Sequence, residues 1–303
     1  MEWLKNIQKY LNRPISPLNS ERILHGRGQL VVGAETIAID WFASNVLVTL
    51  YKEWPDQDVS VLADYLLNQL KEWQLPPTSI ALQRRYLKGA PTEVLYGELA
   101  DEIWAQEQGL QYRINLKQHQ NHGLFLDMAE GRRWVKERAQ HKRVLNLFSY
   151  TCAFSVAALA GGADEVINLD MSKGALAVGR KNHAKNDLTG ARFFAHDLFN
   201  SWGKLKRLGP YDLVIVDPPS FQGSSFTLDS HYPKVIRRLC SLTEPGAEFL
   251  LCLNAPEKSS EFLIDLVAQD APELRFVSRL PNPEVFADKY PEKSLKVLHF
   301  SRE

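Results

Sequence analysis

The sequence predicts an α/β protein with a doubly wound, mostly parallel seven-stranded sheet and a smaller N-terminal α+β domain. Three observations predict it. From about residue 130, short apolar runs alternate with segments of helical period; before that, β-branched and aromatic runs cluster around one clear helix; and carboxylates stand at the ends of three successive strand runs. A length of 303 residues leaves room for about two domains, expected as 1–108 and 109–303.

Each element has its reason. Trp3, Leu4, Ile7 and Leu11 recur at helical spacing over residues 1–13, and Pro14 stops the helix. QLVVG (29–33), TIAIDWF (36–42) and VLVTLYK (46–52) read as strands parted by Gly or Asn. Residues 61–75 have a helical period that Pro76-Pro77 ends, and SIALQRRY (79–86) and VLYGE (94–98) add two strands. GLQYRINLK (109–117) and GLFLD (123–127) read as a hairpin-like connector. Beyond it, RVLNLF (143–148), EVINLD (165–170), ARFFAHD (191–197), YDLVIVD (211–217), AEFLLCLN (247–254), RFVSRL (275–280) and SLKVLHFS (294–301) read as seven strands. Helices are expected at 153–162, 172–188 with Ser172 as N-cap, 231–242 and 259–269.

Composition narrows the function. The chain carries 36 basic and 36 acidic residues, so no global basic field marks a polyanion partner. The balance is uneven: residues 1–108 hold 10 basic and 14 acidic groups. Arg132, Arg133, Lys136, Arg138, Lys142 and Arg143 form one basic cluster, and Arg84, Arg85 and Lys88 a smaller one, each readable as a solvated face or a phosphate-contacting strip. Cys152, Cys240 and Cys252 have no paired spacing, which argues against a disulfide framework or a metal cluster and fits a reducing compartment. With no apolar run of membrane-spanning length, a cytoplasmic location is expected, with no membrane partner and no metal; a homodimer is left open.

A doubly wound sheet binds its ligand beyond the carboxyl ends of its strands. Asp170, Asp197 and Asp217 end the second, third and fourth strand runs, and Asp170 follows Phe148 by the spacing of a ribose-binding acid. The first turn, FSYTCAFS (148–155), lacks the glycines a pyrophosphate requires, so a nucleoside-like ligand without a pyrophosphate is expected and a nicotinamide dehydrogenase is disfavoured. Directly after the apolar strand comes Asp217-Pro218-Pro219-Ser220-Phe221. The prolines remove two donors and leave rigid carbonyls, and Phe221 offers a face for a planar group.

LNLFSYT (145–151), VINLDMS (166–172), FFAHDLF (193–199) and VIVDPPSF (214–221) together resemble the cofactor and target motifs of class I S-adenosylmethionine-dependent methyltransferases. More narrowly, they look like the bacterial 23S ribosomal RNA large-subunit methyltransferases that modify guanine or cytosine. The likeness covers about residues 20–303, including GLFLDM (123–128) and the β-rich ILHGRGQLVVG (23–33) and IDWF (39–42). It implies a Rossmann-like methyltransferase fold with S-adenosyl-L-methionine as cofactor and RNA as substrate. Phe148, Ser149, Tyr150 and Thr151 would wrap the methionine end, Asp170 would hold the ribose and Met171 would pack on adenine. Asp197 and the Leu198 amide would meet the adenine edge, Asp127 would border the cofactor, and Asp217 and Pro218 would face both methyl donor and target. Two positions depart from the pattern: Cys152 stands where relatives usually have glycine, and Met128-Ala129 where they have glutamine or histidine followed by arginine.

The receiving atom follows from nucleophilicity. A cytosine ring carbon needs a covalent thiolate, which such families place after the fifth strand, and Asn254 occupies that position here. A nitrogen needs no thiolate, and Asn254 can donate to and accept from a base edge, as in relatives that modify guanine. Methylation of a guanine nitrogen leads, with Asp217, Pro218, Pro219, Phe221 and Asn254 as catalytic candidates. Methylation of a cytosine carbon, a protein amide or a small molecule, and a catalytically silent RNA-binding factor, remain the alternatives.

Overall fold

The computed structural model describes the chain apart from residues 12–14, 43, 118–119, 220 and 223–225. The chain divides into two units: Met1–Leu126 with Pro283–Pro291, and Asp127–Asn282 with Glu292–Glu303. The expected boundary at 108/109 therefore moves to 126/127. Ser20 N donates to Gln106 O at 2.6 Å, Gln106 N to Ser20 Oγ at 3.1 Å and Gln108 N to Asn19 Oδ1 at 3.1 Å, tying the hairpin that follows into the first unit.

The first unit runs α1 (Glu2–Tyr10), β1 (Glu21–His25), β2 (Ile37–Phe42), β3 (Asn45–Leu50), α2 (Asp56–Glu72), β4 (Ser79–Arg84), β5 (Thr92–Gly97), β6 (Ile103–Glu107) and β7 (Leu110–Ile114). Strands β1-β2-β3-β4-β5 form one sheet in that order, antiparallel except for β3 and β4, which α2 connects. Val59, Leu62, Leu66 and Leu70 form the buried stripe of α2 and pack with Ile39, Val48 and Leu82 of the sheet. Each such side chain taken out of water contributes on the order of 2 kcal/mol. Helix α2 ends before Pro76: Gln74 turns left-handed at φ 60, and Leu75 N reaches back to Leu70 O at 2.8 Å.

QLVVG (29–33) is not a strand. Gln29 (φ 60) and Gly33 (φ 82) turn the chain at its two ends, and Val31 alone is buried while Leu30 and Val32 are exposed. The partner of β7 is β6, not residues 123–127, which lead into a 3-10 turn at Leu126–Met128.

The second unit continues with α3 (Ala129–Arg138), β8 (Arg143–Leu147), α4 (Ala153–Ala160), β9 (Glu165–Asp170), α5 (Lys173–Lys185), β10 (Ala191–Ala195), α6 (Trp202–Leu208) and β11 (Tyr211–Val216). Then come β12 (Phe221–Gln222), β13 (Phe226–Thr227), α7 (Leu228–Leu239), β14 (Thr243–Leu253), α8 (Ser260–Asp270), β15 (Leu274–Arg279) and β16 (Lys296–Arg302). As expected, seven strands form the sheet, in the order β10-β9-β8-β11-β14-β16-β15. The first five are parallel; β16 enters antiparallel between β14 and β15. One apolar layer joins Leu145, Leu147 and Val216 to α7 and α8, and the other joins Val144, Leu213 and Ile215 to α3 and α4. No helix among the described residues is long and apolar enough to cross a membrane.

Most of the large basic cluster is paired or buried. Arg138 and Lys142 pair with Glu248, Arg133 with Glu130, and Arg143 with Glu165 at 3.0 Å, while Arg132 is buried at 3% exposure.

Candidate active site

Strand register brings the expected residues together. Leu147 pairs with Leu169, Val216 with both Leu147 and Leu251, and Ala195 with Asp170. Phe148, Asp170, Asp197, Asp217 and Asn254 thus all lie at or just beyond the carboxyl ends of adjacent parallel strands.

The loop after β8 is under backbone strain. Phe148 (φ 56), Tyr150 (φ 45) and Cys152 (φ 62) are all left-handed, at roughly 1 kcal/mol or more apiece for a residue with a Cβ. Its hydrogen bonds show what holds it. Ser149 N donates to Leu169 O at 3.1 Å, Tyr150 N to Asp170 Oδ2 at 2.8 Å, Cys152 N to Ser149 O at 2.7 Å, and Asn182 Nδ2 of α5 to Thr151 O at 2.9 Å. Asp170 also accepts from Ser172 N at 2.8 Å, and Ser172 caps α5 through Ala175 N as expected. One carboxylate therefore joins two motif loops.

Cys152, at a glycine position of the family pattern, takes the left-handed conformation itself. Its side chain is fully buried where α5 leaves space: a Cβ on Gly179 would come within 2.6 Å of Cys152 Sγ. Burial raises that thiol to about 12, so it stays protonated. Beneath the loop, Asn146 donates to Asn168 at 2.9 Å and Asn168 to Ser155 Oγ at 2.9 Å. Ser155 lies 2.8 Å from His183 Nε2, and His183 Nδ1 lies 2.7 Å from Gly179 O. A carbonyl can only accept, so the His183 proton is on Nδ1 and the Ser155 hydroxyl donates to Nε2. Burial lowers the His183 pKa and keeps the ring neutral.

Asp197 behaves partly as a turn cap. Its Oδ1 accepts from Phe199 N at 2.7 Å and from Asn200 N at 3.3 Å, which leaves Oδ2 for other partners. Leu198 is buried, whereas Met171 stands 51% exposed beside Asp170.

The second half of the edge is electrostatic. Burial and the carboxylate of Asp127 push Asp217 up to about 7, and Arg132 partly offsets them. Arg132 thus acts on Asp217 from α3, one helical turn beyond positions 128 and 129; nothing in the sequence singled it out from the basic cluster, readable as a solvated face or a phosphate-contacting strip. The same two carboxylates and burial raise the Cys252 thiol well above its usual range, and Tyr232 Oη donates to Cys252 O at 2.9 Å. Cys252 is therefore a buried, protonated core residue. Pro218 is buried, Pro219 partly exposed and Asn254 exposed. The adjoining turn is braced from β16: fully buried Lys296 donates Nζ to Ala255 O at 2.8 Å and to Glu292 O at 2.7 Å. Phe221 pairs its backbone with Thr227. The stacking expected of its ring, and Ser220, lie outside the described residues.

The donor set fits a nucleoside cofactor without a pyrophosphate. The Asp170 carboxylate suits a ribose diol, the exposed Met171 offers an apolar face for a base, and the Phe148–Cys152 loop lacks a glycine phosphate cradle. Fold and site thus define a protein of the parallel-sheet, nucleoside-binding class. Residues 21–301 match the family model for S-adenosylmethionine-dependent methyltransferases, and the chain belongs to that family, with S-adenosylmethionine as its cofactor. The chain is 32% identical over 232 residues to ribosomal RNA large subunit methyltransferase K/L of Shewanella sp. (strain MR-4), covering 72% of this chain and 32% of that protein. It is 33% identical over 155 residues to ribosomal RNA large subunit methyltransferase I of Aeromonas salmonicida, covering 50% of this chain and 39% of that one. The match thus spans about a third of the length of these relatives. Among solved structures, SMU.776 complexed with SAH superposes with a TM-score of 0.85 at 24% identity, covering 99% of this chain and 82% of that one. An S-adenosylmethionine-dependent methyltransferase from Agrobacterium tumefaciens gives 0.67 at 19% identity, covering 88% and 87%. These structural likenesses speak for the fold.

Proposed function

We propose that this chain transfers a methyl group to a guanine nitrogen of ribosomal RNA. S-adenosylmethionine supplies a methyl on a sulfonium, an electrophile with a good leaving group. The protein's task is then to aim a lone pair and remove a proton. Asp170 would hold the ribose hydroxyls, Met171 and Leu198 would border the adenine, and Asp197 Oδ2 would accept from its amine. Phe148, Ser149, Tyr150 and Thr151 would enclose the methionine end, with Asp127 beside it.

The observation that carries the nitrogen assignment is the pairing of Asn254 with an inert Cys252. Among the described residues the cysteine near the target side, Cys252, is fully buried with its thiol raised well above the usual range, which disfavours the covalent adduct a cytosine carbon needs. At the ends of β11 and β14, Asn254, the Pro218 carbonyl and Asp217 would instead grip a base edge, with Pro219 stiffening the turn and Phe221 offered for stacking. Asp217 would accept the proton that the attacking nitrogen gives up as it takes the methyl. A carboxyl near 7 is ionised often enough at neutral pH to accept it. The relatives' ribosomal RNA names and the unpaired cysteines support an RNA substrate in a reducing, cytoplasmic setting.

The test is transfer of tritiated methyl to RNA from a deletion strain, followed by mass spectrometry of the nucleosides. A methylated guanosine is expected. A label on cytosine carbon 5, or only in protein, overturns the assignment.

A further inference from the structure

Several residues of the basic clusters are paired with carboxylates among the described residues. Arg27 and Arg85 are placed differently. In the first unit, His25 pairs with Ala38, Ile37 with Leu50, and Leu50 with Arg84, so β1, β3 and β4 all finish at one end of the sheet. Just past those ends stand Arg27, Tyr51 and Arg85. The Arg27 Cζ lies 4.5 Å from the Tyr51 ring centroid and the Arg85 Cζ 5.7 Å from the same centroid. The backbone is anchored at this end: Tyr51 N donates to Thr36 O at 2.8 Å and Arg85 N to Leu50 O at 2.9 Å.

Neighbouring arginines show what neutralisation looks like here. Arg84 meets Glu93 at 2.8 Å and Asp56 at 3.3 Å, and Arg22 meets Asp40 at 2.7 Å. Among the described residues neither Arg27 nor Arg85 has a carboxylate partner; Arg85 meets the neutral Gln120, Nη1 donating to its backbone O at 3.4 Å and Nη2 and Nε to its side-chain oxygen at 2.9 and 3.3 Å, which leaves the charge uncompensated. Two like charges share one aromatic ring, with exposed Lys52 and Lys88 close by in sequence. The concentration is local, since residues 1–108 carry more acidic than basic groups. His25 feels this field: burial and the charges of Arg22 and Arg27 lower its pKa to about 3. Its neutral Nδ1 then accepts from Arg22 Nη1 at 3.0 Å.

A polyanion relieves such an arrangement. A guanidinium presents a fork that matches a phosphate, and one already laid on an aromatic face has less freedom to lose on binding. We infer that this end of the first unit's sheet docks the sugar–phosphate backbone of the RNA substrate, Arg27 and Arg85 each taking a phosphate while Tyr51 holds both guanidiniums in place. The inference rests on the proposed action on RNA and gives the first unit a task in it.

The test uses the full chain and a fluorescein-labelled RNA hairpin, with anisotropy read across a potassium chloride series. The double variant R27Q/R85Q is expected to bind roughly tenfold more weakly at moderate salt, and the slope of log affinity against log salt to flatten by about 2, one unit per lost phosphate contact. R27K/R85K keeps the slope and loses part of the affinity, because the charge remains and the fork does not. Calorimetry with S-adenosylmethionine serves as the folding control and is expected to be unchanged in both variants. Wild-type affinity and slope in R27Q/R85Q overturn the inference, as does an equal loss of binding to polyglutamate in place of RNA. The two readings fail separately. Unchanged KM for methyl transfer to RNA in R27Q/R85Q removes this surface and leaves the reaction standing. Arginine-dependent binding of an RNA that is never methylated removes the reaction and leaves the surface.

Discussion

The two halves of the strand-end edge are held in different ways. On the cofactor half, carboxylates are occupied by backbone amides: Asp170 by Tyr150 and Ser172, and Asp197 by Phe199 and Asn200. On the target half, Asp217 is raised by burial and by Asp127, with Arg132 only partly offsetting. The first half is fixed by geometry, the second tuned by unbalanced charge. Damage to the first should therefore appear in cofactor affinity, and damage to the second in rate and pH dependence.

The largest effect is expected from Asp217→Asn. Removing the proposed proton acceptor should lower kcat for methyl transfer roughly 100- to 1000-fold, while calorimetry should find S-adenosylmethionine affinity within about threefold of wild type; an equal loss of both would break the division. Asp170→Ala is the counterpart. Losing two charge-assisted loop bonds and the proposed ribose acceptor should cost about 2–3 kcal/mol, roughly 30- to 150-fold in cofactor affinity, and the pH profile of the remaining activity should not move.

That profile is itself a prediction. Asp217 must be ionised to accept a proton, so activity should be lost as pH falls through about 7. Asp127→Asn removes a repelling charge and should move the limb to lower pH. Arg132→Gln removes an attracting one and should move it higher, with the Asp127 change the larger of the two. Coincident limbs in all three proteins would detach Asp217 from the rate. Asn182→Ala, which removes one hydrogen bond to the Thr151 carbonyl, is expected to weaken cofactor binding by about 1 kcal/mol, roughly fivefold, with kcat at saturation little changed. The smallest effect belongs to Cys252→Ala. Activity within about twofold of wild type is expected, and its abolition would instead mark a carbon target.

What could be read in advance followed from locality. EVINLD becomes β9 at the expected bounds because its side chains face apolar layers on both sides, and Ser172 caps α5 through a bond three residues away. Asp170, Asp217 and Asn254 are placed by strand ends, which apolar runs mark well. The misses are long-range. ERILH carries few β-branched residues, yet pairing with Ile37–Phe42 makes it β1. The fit of Cys152 depends on Gly179, and the place of Arg132 beside Asp217 depends on how α3 packs on the sheet. QLVVG misled because its apolar residues are broken by left-handed turns that composition does not announce.

The return segment Pro283–Pro291 bears on how the chain is made. Phe286 stacks against His25 at 5.2 Å, Arg22 lies 4.8 Å from the Phe286 ring, and Lys289 N donates to Gly28 O at 2.8 Å, all within the first unit. The first unit thus lacks this piece until residues 127–282 have been made. During translation it must wait, partly assembled, while the entire central stretch leaves the ribosome, and a fragment cut at residue 126 would never receive that piece at all.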